Sequence, residues 1–170
     1  MGVTEAIQKK RAVRRFSQQP LAEEHVRRIL NAGRRAQSSK NTQPWRFIAI
    51  RQPKTLEAIS RMGTYAGHLH GAALGVLILT PDPALRWSIM FDAGQAAAYM
   101  QLAAWELGIA SCLATIYQPE EARQLLGFPS DLHLHVALSF GYPEDPDMLY
   151  APPKSGGRQP LEEIAHFERW

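Results

Sequence analysis

The chain of 170 residues contains one cysteine, Cys112, so it can close no disulfide within itself, and its cysteine usage gives no sign of an oxidising, secreted setting. It also lacks a long hydrophobic run. The longest aliphatic stretch, Ala72 to Leu79, is far short of the roughly 20 residues a membrane-spanning helix needs. The opening MGVTEAIQKK has no apolar segment followed by a small-residue cleavage site, so the expected setting is the cytoplasm, without export or membrane attachment. Charge of one sign is scarce as well: 19 Lys plus Arg against 16 Asp plus Glu leaves +3, too little for nucleic acid without a coherent basic face. A mild excess of this kind suits an anionic small molecule such as a phosphate-bearing cofactor. Gly and Pro, 12 each, stand singly at element boundaries, so no linker divides the chain and one domain over 1–170 is expected. With 45% hydrophobic and 21% charged residues, the chain can bury a real core.

Helical and strand patterns alternate along it. Thr4 reads as the N-cap of a short basic helix that runs toward Arg11 and stops before Phe16. Val26, Ile29, Leu30 and Gly33 recur at helical spacing in a helix ending near Ala36. Phe47 to Ile50 reads as a short buried strand, and Pro53 to Met62 as a helix. Ala72 to Thr80, continuously aliphatic between Gly71 and Pro81, has the pattern of a central strand covered on both faces. The alanine-rich segment from Pro83 to Leu107 predicts a long helix with Met90, Gly94, Ala98, Leu102 and Trp105 on one stripe and Gly108 after its end. Strands at Ile109 to Ile116 and Leu132 to Phe140 flank a helix over Pro119 to Leu126, and a Pro-rich tail follows from Gly141 to Trp170. The order implies an α+β fold: a mixed, mostly antiparallel sheet of four or five strands flanked by helices.

Two segments carry chemistry. The run Lys9-Lys10-Arg11-Ala12-Val13-Arg14-Arg15-Phe16 holds five cations in eight residues. Taken alone it is a solvated basic face. On a continuing helix, though, Lys10 with Arg14 and Arg11 with Arg15 would each share a face and could grip an anion from two points. The loop Ser38-Ser39-Lys40-Asn41-Thr42-Gln43-Pro44-Trp45 offers hydroxyls, amides and an indole together, a density beyond what a capping loop needs and suited to a heterocycle rich in donors and acceptors. Weaker candidates are His68 with His70 and His133 with His135, i,i+2 pairs that would share a strand face; the second pair reads as the wetter face of its strand, and no metal is expected. Cys112 reads as a packed core thiol without an activating neighbour. Trp87, Met90 and Phe91 read as core or dimer interface, with one of them able to border a substrate pocket, and Pro152, Pro153 and Lys154 as a linker.

A basic run ending in Phe, then a helix, then a Ser-Ser-x-Asn-x-Gln-Pro-Trp loop feeding an apolar strand resembles the start of the nitroreductase family of FMN-dependent oxidoreductases. The resemblance continues through Asp92-Ala93-Gly94, Leu102-Ala103-Ala104, Leu107-Gly108-Ile109, Leu125-Leu126-Gly127 and Phe140-Gly141-Tyr142-Pro143. It closes with Gly157-Arg158-Gln159-Pro160-Leu161 and His166-Phe167-Glu168-Arg169-Trp170, covering nearly the whole chain. It implies FMN as cofactor, with Lys10, Arg11 and Arg14 on the phosphate and the pyrimidine edge of the flavin. Ser38, Ser39 and Asn41 match the loop that wraps the flavin, often from the partner subunit. Leu113, Ala114 and Thr115 match the stretch whose backbone approaches flavin N5, and Arg158 matches the tail arginine that closes over the phosphate. The chain departs from the family at Ala12, usually Ser, at Lys10, often Arg, and at Gln37, commonly Pro.

The resemblance further implies a homodimer with exchanged C-terminal tails and transfer of hydride from NADH or NADPH through flavin to a small electron-poor acceptor, nitroaromatic or quinone, by a ping-pong mechanism. Such chemistry needs positioning and electrostatic support more than a catalytic triad, and no general acid or base is expected in the sequence. The rival readings are a non-catalytic flavin-binding or storage protein, a family relative that dehalogenates, reduces enones or cleaves flavin, and a small basic nucleic-acid-binding module.

Overall fold

A computed structural model describes residues 2–152 and 157–170. Four strands form one sheet: β1 (Arg46–Ile50), β2 (Leu74–Thr80), β3 (Ala110–Thr115) and β4 (His133–Gly141), in the order β1-β2-β4-β3 with every neighbouring pair antiparallel. A parallel bridge between Ala12, outside the named strands, and Ser111 of β3 is the sheet's mixed element. The helices are α1 (Val3–Lys9), α2 (Glu23–Arg34), α3 (Pro53–Ser60), α4 (Ser88–Glu106), α5 (Pro119–Leu126) and α6 (Leu161–Ile164).

Alternation along the strands divides the core. Leu74, Val76 and Ile78 of β2, with Leu138 and Phe140 of β4, meet Ile29 of α2 and Ala93, Ala96 and Met100 of α4. Leu77 and Leu79, with Leu134 and Ala137, face the other way, onto Leu56 and Ile59 of α3 and Ala122 of α5. Both faces of β2 are therefore covered, and all seven of its residues are buried, as its unbroken aliphatic run predicts. Gly108, at φ +71°, supplies the left-handed turn that lets the chain leave α4 and enter β3.

Several expectations need correction. The N-terminal helix ends at Lys9, is capped by Gly2 and not Thr4, and leaves Lys10 extended. Beyond it the Val13 amide donates to the Ser111 carbonyl at 3.1 Å, and Val13 and Phe16 are buried. Docking on β3 hides those two apolar side chains, so the chain takes the sheet edge and the helical i,i+4 cation pairs do not form. In α4 the inward stripe is Ile89, Ala93, Ala96, Met100 and Ala104, whereas Met90, Gly94 and Ala98 face outward. Alanines on almost every side of this helix made the stripe ambiguous. Trp87 and Phe91 are exposed, stacked edge to face at 6.3 Å, and outside the core, so of the two readings, core or dimer interface, only the second is left for them.

His68 and His70 do not share a strand face. They lie around a short 3-10 turn, Gly67–Leu69, with His68 buried and His70 exposed. His133 and His135 do share one face of β4, their rings stacked 6.4 Å apart; burial first, then the neighbouring His133, lowers the His135 pKa against a smaller pull from Asp82. Among the described residues no three His, Cys, Asp or Glu converge as a metal site, and no helix is long and apolar enough to cross a membrane. Pro152 is exposed; Pro153 and Lys154 lie outside the described residues.

Candidate cofactor site

β3 is an edge strand, and its outer side is where the first cluster forms. Since the Ser111 carbonyl turns away from β4 to meet Val13, antiparallel alternation turns the backbone amides of Leu113 and Thr115 the same way, toward the open edge. Leu113 and Thr115 are exposed, while Ala114 is buried with its side chain in the core on the α3 and α5 side. The extended segment 10–14 lies along this edge and brings two cations to it. Lys10 is half-buried, and burial lowers its pKa, with Cys112 opposing. Arg14 is exposed, and its charge reaches both Cys112 and His68.

Cys112 is therefore not without charged neighbours, as its sequence context implied. Burial still dominates and raises its pKa, against Arg14, Lys10 and the Leu113 backbone, so it remains a thiol. Arg11 behaves differently from the other two cations: its guanidinium folds back to donate to the carbonyls of Gln8, at 2.6 Å, and Lys10, at 3.0 Å.

The second cluster is the loop before β1. Its short 3-10 turn, Ser39–Asn41, is held from three directions. The Ser39 amide donates to both oxygens of Asp92 at 3.2 Å; the Gln43 amide donates to Ser38 Oγ at 2.9 Å; the Thr42 hydroxyl donates to the Ser39 carbonyl and itself accepts from Arg86, at 2.7 Å. Within that frame Lys40, Asn41 and Gln43 all have positive φ, 52°, 53° and 48°. Three left-handed non-glycine residues in four positions are conformationally costly, and such strain persists where the surroundings over-determine it, as at ligand clamps.

The fold thus gathers Lys10, Arg14 and Leu113 at one edge and Ser38, Ser39 and Asn41 on one clamped loop. Among the described residues no hydrogen bond or ion pair joins the two clusters, and none joins either to Arg158, which is exposed on the tail. A hollow of about 970 Å³ lies elsewhere, between α2 and β1, where Arg27, Arg28, Arg34 and Arg46 surround Leu30 and Phe47. Residues that sequence reasoning missed are His68, Ser139, Asp92 and Arg86. In sequence His68 reads only as half of a metal pair, Asp92 only as part of a helix pattern, and nothing local marks Ser139.

The nitroreductase family's sequence pattern matches residues 7–66 and 60–142. The chain belongs to the nitroreductase family. An Archaeoglobus fulgidus protein named "putative NADH dehydrogenase/NAD(P)H nitroreductase" is 32% identical over 174 residues, 96% of each chain. An iodotyrosine deiodinase of Thermotoga neapolitana is 28% identical over 169 residues, covering 84% of this chain and 89% of its own. The structure of an FMN-dependent nitroreductase from Clostridium difficile superposes with a TM-score of 0.85 at 25% identity, over 99% of this chain and 100% of that one. The α+β fold is thus that of the nitroreductases. The donor set also suits FMN: two cations for an anionic phosphate, a free strand edge for a flat heterocycle, and a loop of hydroxyls and amides.

Proposed function

We propose that the chain is an FMN-dependent oxidoreductase that takes hydride from NADH or NADPH and delivers it to a nitroaromatic or quinone acceptor by a ping-pong mechanism. The observation that carries this reading is the convergence of Lys10, Arg14 and the outward amide of Leu113 on the outer edge of β3, between the Val13 bond to Ser111 and the Gly63 turn beside Thr115. When bound, FMN supplies the hydride acceptor and donor. The chain's own part is positional: Lys10 and Arg14 hold the anionic end and offset negative charge on the reduced ring, and the Leu113 to Thr115 edge faces the ring with backbone donors. Arg11 contributes at the phosphate after its guanidinium leaves the Gln8 and Lys10 carbonyls. Ser38, Ser39 and Asn41 complete the site as a preformed wall, and Arg158 closes over the phosphate.

The working unit in this reading is a homodimer of single-domain chains over 1–170, with exchanged tails. Its support is the apolar surface each subunit leaves bare: Trp87 and Phe91 beside α4, and Leu161, Ile164, Phe167 and Trp170 on the tail. Reliance on a reduced nicotinamide, with a single buried thiol, suits the cytoplasm.

The visible spectrum of the purified protein, before and after anaerobic addition of NADH or NADPH, tests the proposal. Flavin bands that bleach support it; bands that persist turn the reading to flavin storage; a protein that neither carries nor binds FMN overturns it. Reductive dehalogenation is the second reading, favoured by the deiodinase relative, and halide release from an iodinated phenol under the same conditions would select it.

A further inference from the structure

Beside the proposed flavin site lies a side chain that neither the sequence motifs nor the fold's own hydrogen bonding explains. His68 is 7% exposed. Its Nδ1 is 2.7 Å from Ser139 Oγ, and Ser139, wholly buried in β4, also reaches the Cys112 carbonyl at 3.4 Å. The other ring nitrogen, Nε2, is buried and makes no well-formed hydrogen bond among the described residues. Buried polar atoms are nearly always paired, so an orphan beside a recognition surface marks a place a ligand completes.

The neighbours of that atom identify the surface. Arg14 is close enough for its charge to act on the ring, and the Leu113 backbone makes a weak polar contact that favours the protonated ring. These are the cation and the strand edge already assigned to the flavin. The interaction with Ser139 fixes the ring's orientation from behind, so Nε2 offers one direction and not a sweep of them.

We propose that His68 is a flavin-binding residue whose Nε2 forms a hydrogen bond with the polar edge of the isoalloxazine ring, held in aim by Ser139. The proposal rests on the flavin reading above and adds a contact to it. The ring system is the partner and not the phosphate, for a reason of charge: burial and the adjacent Arg14 hold the His68 pKa down to about 4. A neutral imidazole contributes direction and little attraction for an anion, which Lys10 and Arg14 already supply.

The test titrates the wild-type protein, His68→Phe and His68→Gln with FMN and with riboflavin, following flavin fluorescence, and records the histidine ring nitrogen resonances of the wild type with and without FMN. His68→Phe is expected to weaken both flavins by the same factor, about tenfold, with part recovered in His68→Gln, and the wild-type Nε2 resonance is expected to move on binding. A folded His68→Phe protein that binds both flavins as tightly as the wild type overturns the proposal. So does a loss confined to FMN, which would place the contact at the phosphate, or a resonance that stays put while FMN binds. Should the Phe variant fail to fold, the wild-type resonance decides alone. A wild type that binds no flavin overturns the functional reading and this contact with it; bound flavin with an unmoved His68 overturns only the contact.

Discussion

The amide of Ser39 donates to both carboxylate oxygens of Asp92, and Asp92, 2% exposed in the first turns of α4, has Arg86 3.8 Å away on its other side. Because Arg86, in the segment just before α4, also donates to Thr42, one buried carboxylate on the helix and one arginine beside its start fasten both ends of the 39–42 turn. Removing the carboxylate leaves a donor unpaired and a cation uncompensated, and it frees three residues from a left-handed conformation they would otherwise leave. Asp92→Ala should cost about 1–3 kcal/mol and should accelerate amide exchange at residues 38–43 more than elsewhere. Exchange that stays unchanged there while the protein melts early would show that Asp92 supports the core and not the loop.

Acid sensitivity should come in part from His68. Its pKa in the folded chain, about 4, lies below the ordinary 6.5. Between those values the unfolded chain binds a proton that the folded chain refuses, so stability falls as pH falls through that window and is unaffected above it. The contribution is at most about 3–4 kcal/mol, from roughly 1.4 kcal/mol per pKa unit. Denaturant unfolding from about pH 7 down to about pH 4 should show a steeper loss for the wild type than for His68→Gln, and parallel curves would refute the assignment.

Arg14 and Lys10 should dominate FMN affinity through charge. Arg14→Ala is expected to weaken FMN by about ten- to a hundredfold, the worth of a hydrogen bond to a charged group, with a smaller effect on riboflavin, which has no phosphate. The wild-type affinity should also fall with added salt, and Arg14→Ala should flatten that dependence. An equal loss for both flavins would move Arg14 away from the phosphate.

Sequence reasoning reached this site unevenly, for physical reasons that differ by segment. β2 was legible because burial on both faces demands an unbroken aliphatic run, and α5 because Pro119 and Gly127 punctuate it. The basic segment reads as helix in sequence because its fate depends on distant partners, Ser111 and Pro143: Val13 and Phe16 gain burial only by docking on β3 and the segment after β4. The cations were legible as a group; their geometry was not. His68 was visible, but its role comes from Ser139 and Arg14, neither of which is near it in sequence. The left-handed loop had its signal in composition alone, since Lys40 and Gln43 give no hint of positive φ.

The tail should govern association. Leu161, Ile164, Phe167 and Trp170 are 59–99% exposed, too much apolar surface on one short segment to leave in water. The full chain should sediment as a dimer, and a chain ending at Gly156 should shift toward monomer. A full-length monomer at micromolar concentration would remove the exchanged tail from the proposed assembly.

Two glycine substitutions should separate a rigid obstacle from a yielding one. A Cβ on Gly63 would sit 2.2 Å from the Thr115 carbonyl oxygen, and one on Gly33 would sit 2.1 Å from Cε of Met100. The distances are nearly equal, but the obstacles are not. Met100 is an unbranched, flexible side chain, but its Cγ also lies 2.8 Å from that Cβ, so the whole side chain and not only its methyl must shift inside the packed core between α2 and α4. The Thr115 carbonyl belongs to the backbone of β3, so Gly63→Ala must move the strand end that carries the proposed flavin edge or push away the turn beneath it. Gly63→Ala should therefore destabilise by about 1–3 kcal/mol, the usual range for overpacking, and weaken FMN as well. Gly33→Ala should destabilise less, helped by the better helix propensity of alanine within α2, and leave FMN affinity unchanged. Thermal melts and flavin titrations of the two variants side by side check this, and the reverse order would mean that the core around Met100 is the stiffer of the two.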